Sequence, residues 1–344
     1  MKKKNLFIGL ALSLAVTGCG KEALENTNTK VKDEVKQEEN EESKGAKTEK
    51  KDESKVIYAS FYPIYNLTKQ IAGDKFEVKS FNSLTTESHD FEPSAKEIAE
   101  LSKSQLIFMN GAGMEDWKDD VNETIDISMV DTSESLDLIK ADHDHEDAED
   151  HDHEDAEDHD HEEGEHHHHH GEFDPHTWLS PVNAKAQAKV IADKLSEIDP
   201  ANKDYYQKNY EKIAKEFDEI INEYKEKFAK VENNKFIVPH EAFGYVARDF
   251  NLEQIPLSSL TSTADPDAKV MKEVTDLAKK DAIKTVFFEK GGSDKAAKTI
   301  AEEIGADTLP LSTMEFASEE EIEKEVTIQE IIKENLENIY KSLA

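Results

Sequence analysis

From about residue 55 onward, the hydrophobic and polar positions form alternating strand-like and helix-like patterns. Short apolar runs bounded by polar residues predict strands, and apolar residues three or four positions apart predict helices. The predicted strands are 56–61, 76–81, 105–110, 236–239, 252–257 and 284–289. The predicted helices are 62–72, 95–103, 242–249, 266–280, 294–304 and 319–343. This alternation predicts an α/β fold with two Rossmann-like lobes, each a mostly parallel sheet flanked by helices.

One long amphipathic helix is predicted between the two lobes, over residues 199–230. Asp199 and Pro200 are typical of a helix start, and an aromatic and aliphatic stripe follows at spacings of three and four: Tyr206, Tyr210, Ile213, Phe217, Ile220, Tyr224 and Phe228. About 30 residues give a rod of roughly 45 Å, which could join the lobes 55–198 and 231–344 stiffly. A coiled-coil dimer is the alternative, but the stripe is aromatic and ends after about four heptads, so we expect a monomer.

The N-terminus has the pattern of a secretory signal. Three lysines precede an apolar run from Leu6 to Val16, which is too short to span a bilayer comfortably. The following V-T-G-C looks like a bacterial lipobox, so we expect a signal peptide over 1–18 and acylation of Cys19; a free cysteine placed there by chance is the alternative. Cys19 is the only cysteine, which excludes an internal disulfide and a thiolate metal site. The polar residues 19–54 predict a flexible tether, and the protein is expected on the outer face of the cell membrane.

A His-rich and acidic insertion spans residues 141–171. The formal net charge of the chain is −35, which argues against nucleic acid as a partner, and much of that charge lies in repeats of HDHEDAED. Because the insertion has no apolar residue larger than alanine, we expect it to be a disordered loop. It is either an auxiliary zinc collector with fast exchange or a solvated acidic loop. Its histidines are His143, His145, His151, His153, His159, His161, His166, His167, His168, His169 and His170.

Three histidines lie outside the insertion: His89, His176 and His240. Each is in a turn-like setting beyond a strand or loop, where open α/β sheets bind ligands. His240-Glu241 begins like the H-E-x-x-H zinc protease motif, but its fifth position is Gly244, which weakens an enzymatic interpretation. Glu289 ends a predicted strand and offers a fourth ligand. Three imidazoles and one carboxylate suit Zn²⁺ better than Mn²⁺.

Four motifs together resemble the metal-binding solute receptors of bacterial ABC transporters, in particular their zinc-specific branch of adhesin lipoproteins. They are HDFEPSAKEI at His89, FDPHTWLSP at His176, HEAFGYVARDFNL at His240 and FFEKGGS at Glu289. The resemblance covers residues 55–344. It implies two α/β lobes joined by a rigid helix, with Zn²⁺ held in the cleft by His89 and His176 from one lobe and His240 and Glu289 from the other. It also implies delivery of the ion to a membrane permease.

The sequence leaves other functions open. A manganese receptor of the same family is one alternative. A zinc hydrolase is another, with the three histidines as ligands and Glu289 or Glu241 as base. An adhesin is the third, although no sequence feature marks a protein-binding patch. We expect a binding protein rather than an enzyme, and an affinity for zinc that falls below about pH 6 because imidazoles must be neutral to ligate.

Overall fold

The computed structural model describes residues 55–141, 171–260 and 266–344. The expected signal peptide, Cys19, the tether up to residue 54 and the eleven histidines of the insertion all lie outside these ranges.

The N-terminal half forms a four-stranded parallel sheet with the order β2-β1-β3-β4. Its strands are β1 (Val56–Ala59), β2 (Glu77–Ser80), β3 (Leu106–Met109) and β4 (Ser128–Asp131). Its helices are α1 (Tyr62–Ala72), α2 (Ala95–Leu101), α3 (Lys118–Thr124) and α4 (Pro181–Ile198), and α5 (Lys203–Phe228) follows. Because β1 and β3 are buried, their sequences are continuous apolar runs rather than alternating ones.

The C-terminal half repeats this topology with the order β6-β5-β7-β8, again parallel. Its strands are β5 (Lys235–Val238), β6 (Glu253–Pro256), β7 (Thr285–Glu289) and β8 (Asp307–Leu311). Its helices are α6 (Gly244–Phe250), α7 (Ala268–Lys280), α8 (Lys295–Ile304), α9 (Glu319–Glu323) and α10 (Ile328–Leu343).

The prediction of two parallel α/β lobes is confirmed, but β4, β8 and α3 were missed, and no bounds were predicted for α4. The strands β4 and β8 lie at sheet edges, and their burial is only partial, so their apolar signal is weak. The predicted single helix 319–343 is two helices. Glu325 has a φ of 51°, a left-handed conformation that no α-helix continues through, and Thr327 then caps α10 with a reciprocal capping box to Glu330.

The long helix α5 packs against both lobes. It has 26 residues, or about 39 Å, and begins after a 3₁₀ turn at Pro200–Asn202 rather than at Pro200 itself. Six of the seven stripe residues are buried, and Tyr210 is partly buried. The Asn209 side chain donates to the Ile71 carbonyl of α1, whereas Tyr224 Oη donates to Glu337 of α10. The helix therefore shares one hydrophobic core with elements of both sheets.

None of the helices within the described ranges is both long and apolar enough to cross a bilayer.

Candidate metal centre

The carboxyl ends of the two sheets bring four distant residues together. His89 lies in the connection after β2, and His176 lies between β4 and α4. His240 follows β5, and Glu315 follows β8. Because parallel strands present their carboxyl ends at one edge, each sheet contributes two of these side chains to the cleft between the lobes.

The four side chains have the spacing of a tetrahedral site. Nε2 of His89 lies 3.2 Å from Nε2 of His176. The Glu315 carboxylate lies 3.6 Å from His89, 3.5 Å from His176 and 3.3 Å from His240. All four ligand atoms fall within 4.8 Å of one another. Bonds of about 2.05 Å in a tetrahedral zinc site put neighbouring ligand atoms about 3.3 Å apart, so the observed distances fit one ion.

Burial of these groups has left polar atoms without hydrogen bonds. The exposed fraction of the side chain is 9% for His89, 2% for His240 and 0% for His176 and Glu315. Among the described residues, both ring nitrogens of His240 and both carboxylate oxygens of Glu315 lack a hydrogen-bond partner. Such groups are rare in folded proteins and costly. A cation bound among the four side chains would satisfy these oxygens and one nitrogen of each ring.

Asp174 fixes the orientation of His176. Its Oδ1 accepts hydrogen bonds from the backbone N–H of His176 at 2.9 Å and from Nδ1 at 2.8 Å. A carboxylate on Nδ1 keeps a proton there and leaves Nε2 to face the other ligands. The flanking backbone is also held: Asn110 Nδ2 donates to the Pro175 carbonyl, and Thr177 Oγ1 donates to Asn110 Oδ1.

Burial and the neighbouring charges shift the pKa values of His176 and Glu315 in opposite directions. Burial lowers the pKa of His176, but Asp174 and Glu315 together outweigh burial and raise it to about 9. Burial would raise the pKa of Glu315, yet the neighbouring histidines hold it well below its usual range. Glu315 is therefore a carboxylate across the neutral pH range, as a metal ligand must be.

Two contacts across the cleft hold the Glu315 segment against the N-terminal lobe. Ser88 Oγ donates to the Glu315 carbonyl at 2.8 Å, and Trp178 Nε1 donates to the Thr313 carbonyl at 2.7 Å. Met314, between them, has a φ of 60°, a left-handed conformation that is uncommon outside glycine. This turn directs the Glu315 side chain towards the histidines.

The structure brings the three predicted histidines together, but it does not place Glu289 among them. The Glu289 carboxylate accepts a hydrogen bond from Thr313 Oγ1 at 2.5 Å instead. Burial and the charge of Glu315 raise the pKa of Glu289. We therefore revise the fourth member of the candidate site from Glu289 to Glu315. The sequence signal that could have identified Glu315 is its position just after a strand, but that strand, β8, was not predicted.

A cavity of about 230 Å³ adjoins the site on the side of His240. Its walls include Glu87, His240, Leu257, Phe287, Glu289 and Phe316. Glu87 Oε1 accepts from the backbone N–H of Ser88 at 2.8 Å. Burial and the proximity of Glu315 raise the pKa of Glu87 to about 9, so the carboxyl is neutral near pH 7. Glu289, the fourth ligand predicted from the sequence, therefore lies in the wall of the adjoining cavity.

The geometry agrees with comparisons against known proteins. A family model described as "Zinc-uptake complex component A periplasmic" matches residues 57–342. The chain belongs to this family. This finding confirms the resemblance drawn from the motifs. Among curated relatives, the high-affinity zinc uptake system protein ZnuA of Bacillus subtilis is 34% identical over 346 residues, which covers 99% of this chain and 98% of that protein.

Solved structures of family members have the same fold. The Zn(II)-bound ZnuA-like domain of Streptococcus pneumoniae AdcA matches with a TM-score of 0.68 and 28% identity, over 84% of this chain and 98% of that one. The laminin-binding protein Lmb of Streptococcus agalactiae, described as bifunctional with adhesin and metal-transporting activity, matches with a TM-score of 0.68 and 28% identity, over 84% of this chain and 99% of that one.

Proposed function

We propose that this protein is an extracytoplasmic receptor that captures Zn²⁺ between its lobes and delivers it to an ABC transporter permease. The observation that carries the proposal is the buried tetrahedral group of His89, His176, His240 and Glu315. Membership of the zinc-uptake family supports the same function.

Ligand chemistry favours zinc over manganese as the cargo. Three imidazoles and one carboxylate form a four-coordinate set that is common for Zn²⁺. Manganese prefers a larger share of oxygen ligands. The set holds a single carboxylate, that of Glu315.

A receptor accounts for the site better than a zinc hydrolase does. Catalytic zinc sites keep one coordination position for water or substrate, whereas four protein ligands fill a tetrahedral shell. The cavity beside His240 is about 230 Å³, below the roughly 300–1,000 Å³ of most small-molecule sites.

The remaining parts of the proposal rest on the sequence. The acylated Cys19 anchors the protein to the outer face of the membrane, and residues 19–54 form the tether. The protein acts as a monomer. The His-rich insertion serves as an auxiliary zinc collector, and its flanks are joined by a bridge between Lys140 and Phe173, three residues before His176.

Zinc titration of the full-length protein tests this function. The wild type, a variant lacking residues 142–170 and His240→Ala are compared by competition with a chromophoric chelator. We expect the deletion to keep one tight site and to lose only weak sites, because the four ligands lie outside the insertion. His240→Ala should strongly weaken the tight site, because it removes one of the four protein ligands.

The opposite pattern would overturn the proposal. If the deletion removes tight binding while His240→Ala keeps it, the insertion itself is the receptor site. A titration with Mn²⁺ in the same three variants measures the preference; because most sites of this kind bind Mn²⁺ more weakly than Zn²⁺, equal or tighter Mn²⁺ binding would contradict a zinc receptor.

A further inference from the structure

Gly244 contacts the residue that orients His176, although the two belong to different lobes. A Cβ added to Gly244 would lie 2.7 Å from Oδ2 of Asp174, well inside van der Waals contact. The other oxygen of the same carboxylate, Oδ1, accepts the hydrogen bond from His176 Nδ1. A side chain at position 244 therefore forces the Asp174 carboxylate, which orients His176, to move.

The backbone of Gly244 gives no other reason for a glycine. This residue is the first of helix α6 and does not adopt a positive φ, so alanine suits its backbone and has the higher helix propensity. The contact with Asp174 is the feature of this position that excludes a side chain.

The segment at the start of α6 also binds the backbone of Asp174, and it directly follows the candidate ligand His240. Tyr245 Oη donates to the Asp174 carbonyl at 2.7 Å and accepts from the Ile139 backbone N–H at 3.2 Å. The turn that leads into α6 contains His240, whose carbonyl accepts from the Ala242 N–H at 2.8 Å. One short segment thus carries His240 and receives the residue that aligns His176.

We propose that Gly244 is a positioning residue for metal capture. The absence of a side chain lets the Asp174 carboxylate lie directly against α6, and this contact sets the position of His176 relative to His240. The inference rests on the proposed function, because it assumes that both histidines bind the ion. Loss of such an outer carboxylate contact typically costs about 10- to 100-fold in metal affinity.

A double-mutant cycle in the full-length protein tests this role. Gly244→Ala, Asp174→Ala and the double variant are compared for Zn²⁺ affinity and for the visible absorption of bound Co²⁺, which reports tetrahedral geometry. We expect Gly244→Ala to lower affinity at least tenfold and to alter the Co²⁺ spectrum. In the Asp174→Ala background the same change should cost less than twofold, because the colliding carboxylate is absent.

Gly171→Ala is the matched control. Gly171 also lacks a positive φ, and among the described residues a Cβ there would meet only ordinary contacts, the nearest at 3.4 Å. The zinc affinity and the Co²⁺ spectrum of the Gly171→Ala variant should equal those of the wild type.

The possible outcomes separate this role from a general effect on folding. An unchanged affinity in Gly244→Ala, or an equal loss in both backgrounds, overturns the proposal. A failure of Gly244→Ala to fold both in the wild type and in the Asp174→Ala variant also overturns it. A folding defect that occurs only when Asp174 is present supports it. A wild type that binds no zinc would refute the proposed function instead.

Discussion

The Glu315 carboxylate lies 3.3 Å from Nε2 of His240, and neither group has a hydrogen-bond partner among the described residues. The two residues follow different strands of the C-terminal sheet, β8 and β5. A buried carboxylate and a buried ring nitrogen at this distance, with no hydrogen bond between them, are placed to bind a common ion. A divalent cation between them supplies the missing interaction for both.

Glutamine substitutions separate the ligand from its neighbour. Glu315→Gln should lower zinc affinity by more than about 100-fold, because it removes a charged ligand rather than an outer contact. Glu289→Gln should lower it less than about tenfold, since Glu289 contacts Thr313 and lines the adjoining cavity. Competition with a chelator measures both. A larger loss in Glu289→Gln than in Glu315→Gln would restore Glu289 as the fourth ligand.

Zinc binding should release a proton from His176 at neutral pH. Its pKa of about 9 in the metal-free protein lies above the ordinary value, so the ring is protonated at pH 7.5, and the ion must displace that proton. Affinity should therefore rise about tenfold per pH unit from pH 7 to 9 and level off above, so the fall on acidification begins well above the pH of about 6 that unperturbed imidazoles predict. Calorimetry in two buffers with different ionisation enthalpies counts the protons.

The control for this measurement is Asp174→Asn, which removes a charge that raises the pKa of His176. In this variant the rise in affinity should level off at a lower pH. A wild type that releases no proton at pH 7.5 and binds equally well from pH 7 to 9 would contradict the protonated His176.

The buried Glu115 should make the stability of the metal-free protein depend on pH. Its carboxylate accepts from the backbone N–H groups of Asn110 and Gly111, but burial dominates and raises its pKa to about 7. The folded state therefore binds this proton more tightly than the unfolded state. The resulting stability is fully present below about pH 4.5 and is lost as pH rises through 7.

Between pH 5 and pH 8 the loss from this group should be about 2 to 3 kcal/mol, and Glu115→Gln should lack it. Urea unfolding in the presence of a chelator measures the free energy of unfolding at both pH values. The exposed Glu319→Gln is the matched control and should behave as the wild type does. Identical pH dependence in Glu115→Gln and the wild type would show that Glu115 is ionised in the folded protein.

Elements with a strong local pattern were predictable, and those that depend on neighbours were not. The buried strands β1, β3 and β5 are continuous apolar runs, and α5 has a stripe that repeats every three or four residues. By contrast, β8 contains Pro310 and buries only Leu311 fully. Its place in the sheet comes from pairing with β7, which a local pattern does not contain.

The sequence alone determined the fold class, the long helix and the three histidines, because periodicity and residue chemistry are properties of the chain itself. Only the tertiary structure decided the fourth candidate ligand. Glu289 ends β7 and Glu315 follows β8 of the same sheet. The choice between them depends on a left-handed turn at Met314 and on contacts from Ser88 and Trp178 across the cleft. These interactions join residues more than one hundred positions apart, so they exist only once both lobes have folded and packed together.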